Sequence, residues 1–305
     1  ALAMHRGILF VRYRESVQHK LAAVPRAGLA RLYIHLPPGY VSYEVGLQEL
    51  QARLAAAYAA VFDPAGVTDA RVVLSDSQQG VPDDADTYYG FADEAGDAAV
   101  GQLRFHELPE TARQPSEAPP AGTPLQRYDA VCMGGTFDRL HVGHKLLLTV
   151  AAAVVAPGGR LACGVTGDVM LKEKTLGELV EPQGIRIARV LHFLRSVRPD
   201  VTYDCPSLSD PFGPSITDPA LLAIVVSEET RAGGAKCNEV RAERSMPGMD
   251  VITTGLVDGG GSAELASEAA GDKLSSSTLR KQVLAEPLDG GRDWSRKRAP
   301  GRPYV

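Results

Sequence analysis

Apolar and polar positions follow one regular plan through the C-terminal half of the chain. Short apolar runs at 129–133, 160–165, 200–205, 221–226 and 249–256 read as strands. Between them, apolar residues recur at helical spacing over 144–156, 183–197 and 234–245, and a last helix is predicted to follow Ser275. Pro182 just inside the second helix and Pro199 just beyond it agree with those boundaries. Near-continuous apolar strands alternating with crossover helices predict an α/β fold: a doubly wound, Rossmann-like, five-stranded parallel sheet covered on both faces. Ligands of such sheets bind beyond the carboxyl ends of the strands, where strand order reverses.

The N-terminal half is less regular. Gly7–Tyr13, Ala30–Leu36 and Arg71–Leu74 read as strands, and Leu47, Leu50, Leu54, Tyr58 and Val61 recur at helical spacing over Gly46–Phe62. Asp76–Asp97 is acidic and rich in turn residues, which predicts a loop. Prolines 109, 115, 119, 120 and 124 predict a semi-rigid linker. The expected organisation is a small α/β module at 1–106, a linker at 107–127, a larger domain at 128–290 and a basic tail at 291–305. No catalytic pattern marks the first module. His35 stands out there, but one histidine on a strand reads as structural.

Composition narrows the function. Of 305 residues 44% are hydrophobic, and no apolar run is long enough to span a membrane. A net charge of −5 argues against nucleic-acid binding through bulk phosphate contacts. Basic residues do collect in the tail, at Arg292, Arg296, Lys297, Arg298 and Arg302, which reads as a solvated end. Cysteines at 132, 163, 205 and 237 form no CxxC and have poor spacing for zinc. They read as free thiols of a reducing, cytoplasmic compartment. The first residues lack a secretory pattern, and because the chain begins at Ala an upstream targeting segment is left open.

The chemistry concentrates in Gly134-Gly-Thr-Phe-Asp-Arg-Leu-His-Val-Gly-His-Lys145, between the first strand and first helix of the larger domain. Two glycines permit a tight turn. His141 and His144 fall where the helix begins, and unpaired N–H groups with the helix dipole make that end a seat for phosphate. The pattern suggests a nucleotide site. Two other readings compete: the histidines bind a metal, or they are structural.

Gly134–Asp138 with His141-Val-Gly-His144 resembles the first signature of the HIGH-type nucleotidylyltransferases, and Leu274-Ser-Ser-Ser-Thr-Leu-Arg280 resembles their second. With Gly164–Lys174, Ser209–Pro214 and Val226–Thr230 between them, the blocks are similar to the phosphopantetheine adenylyltransferase domain of eukaryotic coenzyme A synthases, over about half the chain. That resemblance implies transfer of AMP from ATP to 4′-phosphopantetheine, with Mg2+ on the triphosphate. It implies that His144 donates to the α-phosphoryl oxygen and that Thr136 holds this phosphate or the acceptor's. His141 would contact the nucleotide phosphates, Gly143 would let the backbone approach, and Gly134 and Gly135 would form the turn. Lys172 would bridge the reacting phosphates with Lys174 beside it. Ser275, Ser276, Ser277 and Thr278 would seat the β and γ phosphates at a helix start, clamped by Arg280. Arg186 and Arg241 would bind the acceptor phosphate or the nucleotide.

The chain departs from the pattern at Arg231, which stands one place early, and no role is carried to it. A P-loop is missing, so the kinase half of bifunctional coenzyme A synthases is not expected within this sequence. The competing functions are another nucleotidylyltransferase, such as a cytidylyltransferase, or a non-catalytic nucleotide-binding scaffold.

Overall fold

A computed structural model describes residues 4–11, 17–36, 46–60, 69–74, 84–95, 102–114, 125–171 and 176–255. The first unit contains β1 (His5–Phe10), α1 (Val17–Ala22), β2 (Leu29–His35), α2 (Leu47–Ala60), β3 (Asp69–Val73), β4 (Thr87–Gly90) and β5 (Arg104–Glu107). Its strands pair in the order β3-β2-β1-β4-β5, every pair parallel. The second unit contains β6 (Tyr128–Gly135), α3 (Val142–Ala153), β7 (Val155–Thr166), α4 (Gln183–Val197), β8 (Thr202–Asp204), β9 (Ser207–Leu208), β10 (Ala223–Ser227), α5 (Arg231–Glu243) and β11 (Asp250–Thr254). Its order is β11-β10-β6-β7-β8, again parallel, with the two-residue β9 added beside β7.

The two sheets therefore follow one winding plan, in which chain order runs outward from a central strand and then reverses to the other side. In the second sheet, Val131, Met133, Leu161, Cys163 and Val225 point to the face covered by α3 and α4. Ala130, Cys132, Ala162, Ile224 and Val226 point to the other face, with α5 and Cys237. Alternation on strands apolar on both sides is what a doubly covered sheet requires. The parallel sheet expected from the sequence is present. All four cysteines are free thiols.

The first unit corrects one expectation. The stretch read as an acidic loop contains β4, Thr87-Tyr-Tyr-Gly90, with all four residues buried. Two tyrosines suit a strand surface, but four residues between Asp86 and Phe91 are too few for a period to emerge from the surrounding turn signals. At the carboxyl edge of this sheet, between β1 and β4, Lys20 of α1 bonds Glu94 at 3.0 and 3.2 Å. Both side chains are sealed from solvent, at 1% and 0% exposure. Glu94 also accepts the Phe91 N–H at 2.8 Å, and the Lys20 ammonium lies over the Phe91 ring.

The units do not hang apart on a spacer. One apolar cluster runs from Leu54, Ala57, Tyr58 and Val72 of the first into Leu148, Val150, Ala152 and Phe193 of the second. Leu108 and Leu125, within the stretch read as a linker, are buried in that same cluster. α3 explains the weld. From Leu148 to Ala153 every residue is buried, so the helix is enclosed on all sides rather than along one stripe. The second sheet covers one face, and α2 covers another. Each fully buried Leu or Val in such a layer stabilises by about 1.5–3 kcal/mol.

Candidate active site

The site is built where β6 ends. Strand order reverses between β6 and β10, so their carboxyl ends flank the crevice where ligands of this architecture bind. Gly134 and Gly135 close β6, the loop Thr136–Leu140 turns, and α3 begins behind His141. The turn is tight: Phe137 and Arg139 both adopt left-handed backbone, at φ 51° and 47°. Phe137 folds back over the strand end, where a Cβ at Gly135 would meet its ring at 2.9 Å. Glycine at 135 is thus required by packing. At Gly143 a Cβ would lie 3.2 Å from Cε1 of His141, a tight approach that a small shift of the ring would relieve.

His141 is the N-cap of α3 in extended conformation, and among the described residues no side-chain hydrogen bond caps the helix. The first turn carries no acidic residue. Its N–H groups are therefore uncapped by side chains, and the helix dipole there favours an anion. The rings of His141 and His144 stack at 3.9 Å, and Phe137 meets His144 edge-on at 5.5 Å. Burial pulls the His141 pKa down to about 4, with Asp138 opposing and Lys145 reinforcing. His141 is neutral at pH 7 and keeps one donor and one acceptor nitrogen.

Two residues outside the expected set hold the loop. Asp138 is fully buried; one oxygen accepts the Glu181 N–H at 3.0 Å and the other accepts from Arg139 Nη1 at 3.0 Å. Glu181 in turn accepts the Arg139 N–H at 3.2 Å and is held by Arg189 at 2.6 and 2.7 Å. Asp138 closes the Gly-Gly-Thr-Phe-Asp run, so its place in the motif was the signal. Nothing in the sequence marks Glu181.

Arg186, in the first turn of α4, is brought to the loop. Its Nε donates to the Glu181 carbonyl and its Nη1 to the Thr136 carbonyl, each at 2.7 Å. Its Nη2 lies 3.8 Å from the exposed carboxylate of Asp168. Three buried polar atoms on or against this loop have no hydrogen-bond partner among the described residues: Thr136 Oγ1, His141 Nδ1 and Arg186 Nη2. Buried groups of that kind are ordinarily paired, and each carries a cost of about 1–3 kcal/mol when it is not. A phosphate would supply acceptor oxygens to them.

Arg241 is a correction. Its guanidinium is fully buried and donates to the carbonyls of Pro247, Ser215, Asp218 and Leu221 at 2.6–3.1 Å. Those carbonyls lie at the amino edge of the second sheet, ahead of β10 and β11. Arg241 ties loops together opposite the crevice and is removed from the substrate-binding set. Ser227, the last residue of β10, and Thr230 just beyond it close on each other at 3.0 Å. Lys172, Lys174, Ser275, Ser276, Ser277, Thr278 and Arg280 lie outside the described residues. Among the described residues, no group of three or more His, Cys, Asp or Glu could hold a metal ion, and no helix is long and apolar enough to cross a membrane.

A family model described as cytidylyltransferase-like matches residues 132–282. A yeast (Saccharomyces cerevisiae) protein named phosphopantetheine adenylyltransferase is 32% identical over 184 residues, covering 60% of this chain and 58% of its own length. A protein of the same name from Methanopyrus kandleri is 36% identical over 165 residues, covering 54% of this chain and 97% of its own length. A crystal structure of a protein of unknown function from Archaeoglobus fulgidus aligns with 46% of this chain and 95% of its own, at 27% identity and TM-score 0.37. The chain thus spans little more than half of the yeast relative and nearly all of the archaeal one. It belongs to the cytidylyltransferase-like family of nucleotidylyltransferases.

Proposed function

We propose that this protein transfers AMP from ATP to 4′-phosphopantetheine, giving dephospho-coenzyme A and pyrophosphate. The observation that carries the reading is the β6–α3 loop. It joins a helix start without a side-chain cap to buried Thr136, His141 and Arg186 atoms that have no hydrogen-bond partner among the described residues. The relatives named phosphopantetheine adenylyltransferase support this choice of acceptor.

The chemistry suits that inventory. The attacking phosphate monoester is largely dianionic at neutral pH, its second pKa being about 6, so no general base is needed. Its oxygen forms a bond to the α-phosphorus as the α–β bridging bond breaks, and pyrophosphate leaves. The protein must align the two phosphates and stabilise charge on the α-phosphoryl oxygens. His144 is assigned to donate to such an oxygen, and the helix start, Thr136 and neutral His141 to hold phosphate oxygens. Arg186 Nη2 is assigned to the acceptor phosphate. Lys172 is assigned to bridge the reacting phosphates, Lys174 to bind substrate beside it, and Ser275–Thr278 with Arg280 to bind the β and γ phosphates. Imidazole, hydroxyl and guanidinium around the loop suit phosphate oxygens rather than a hard cation. Mg2+ would therefore ride on the triphosphate and water.

The test is pyrophosphate release from ATP or CTP with a panel of phosphorylated acceptors. Release from ATP with 4′-phosphopantetheine is the expected result. Turnover with CTP and another acceptor, and none with ATP, would assign a cytidylyltransferase. Nucleotide binding without release would assign a scaffold.

A further inference from the structure

We infer that the first unit is a brace for the catalytic helix, and that Asp69 is a positioning residue for the histidines of α3. The inference rests on the proposed adenylyl transfer for its kinetic readout, but its structural grounds are separate. Residue 145, next in chain to His144, is a lysine whose ammonium leaves the second unit altogether. It donates to Asp69 Oδ1 at 2.7 Å, at the start of β3. The other oxygen of Asp69 accepts from Arg31 Nε at 2.9 Å and from Arg71 Nε and Nη2 at 3.0 and 2.8 Å. Arg31 is anchored again to Asp84 at 2.8 Å. Asp69 is thus fixed from two directions before it receives Lys145, so it serves as a rigid anchor.

One turn along α3, at the same face, Thr149 Oγ1 meets Tyr58 Oη of α2 at 2.8 Å with both residues buried. Spacing of four residues places Lys145 and Thr149 on a single stripe, and that stripe belongs to the first unit. A third contact reaches the far side of the crevice. Gln51 of α2 donates to the carbonyl of Thr253, one residue from the carboxyl end of β11. The first unit therefore touches the helix of the His-x-Gly-His motif and the strand from which the chain leaves towards the second signature.

Position along and around the α3 axis is what these contacts fix. His144 lies one residue from the anchored lysine, so any slide or rotation of the helix moves its imidazole by a similar amount. A displacement near 1 Å costs about a hundredfold in rate, and a fraction of that costs about tenfold.

The experiment compares full-length wild type, Asp69→Asn, Asp69→Glu, Lys145→Met and the Asp69→Asn/Lys145→Met pair. Pyrophosphate release is measured alongside amide exchange in 142–149 and 231–243. In Asp69→Asn, kcat should fall about tenfold with the KM for ATP little changed, and exchange should rise in 142–149 but not in 231–243, a helix that packs on β10 and β11 away from Asp69. Asp69→Glu should recover most of the rate, and Lys145→Met should add nothing to Asp69→Asn. Wild-type kcat and unchanged exchange in folded Asp69→Asn overturn the inference, as does an equal rise in both segments. If Asp69→Asn does not fold, Tyr58→Phe takes its place, with the same two outcomes. If wild type releases no pyrophosphate from any nucleotide, the proposed function fails and local exchange still decides the brace.

Discussion

Acid should destabilise this protein through His141, and the size of the effect follows from its surroundings. The imidazole has an ordinary pKa near 6.5 in the unfolded chain and about 4 in the fold. Because the folded value is the lower one, the unfolded state binds the extra proton first as pH falls. The stability contributed by keeping His141 neutral is complete above about pH 6.5 and is lost progressively down to about 4. At about 1.4 kcal/mol per pH unit, an interval of roughly 2.5 units gives about 3 kcal/mol. Replacing His141 with Gln keeps a polar side chain and removes the titration. Urea unfolding of both proteins at pH 7.0 and 4.5 isolates the difference: wild type should lose about 2–3 kcal/mol more than the variant across that interval. Parallel pH curves would refute the half-buried, neutral imidazole, and with it the reading of His141 as a neutral hydrogen-bonding group at the phosphate seat.

Other substitutions test the remaining parts. His144→Ala should lower turnover by about a hundredfold or more with the melting temperature little changed, as for loss of one transition-state donor; unchanged turnover removes His144 from the mechanism. Arg186→Lys keeps the charge but cannot hold both carbonyls and reach a phosphate. One lost charged hydrogen bond should cost about 1.5–3 kcal/mol, and the KM for the acceptor should rise about tenfold while that for ATP does not. A lower melting temperature with unaltered KM would make Arg186 purely structural. Lys20→Met strands the Glu94 carboxylate and should cost about 3–5 kcal/mol by chemical denaturation; a loss below 1 kcal/mol would show that Glu94 is relieved in another way.

What the sequence made legible was whatever the chain encodes locally. The strands β6, β7 and β10 carry apolar runs flanked by helical patterns, and the Gly-Gly turn followed by two histidines is contiguous, so the end of β6 was legible in the sequence. Short elements defeated that approach: β4 is four residues set among acids and glycine. Arg186 and Arg241 show the limit for side chains. Each is an arginine on a helix of the second unit, and only the fold reveals that one faces the loop at the crevice while the other holds carbonyls at the opposite edge. The contact between Lys145 and Asp69 joins residues 76 positions apart in sequence, and no periodicity announces it. The all-round apolar run of α3 was the one local hint that a second layer must cover it.

Repetition of a single winding plan within one polypeptide makes an internal control on what architecture alone can accomplish. Both halves open a gap where their strand order turns back, yet in the first that gap is filled from within, by an ammonium and a carboxylate that satisfy each other. In the second, a hydroxyl of Thr136, a ring nitrogen of His141 and a guanidinium nitrogen of Arg186 have no hydrogen-bond partner among the described residues. Topology supplies the vacancy in each case, and whether a guest is admitted depends on a few side chains at its mouth.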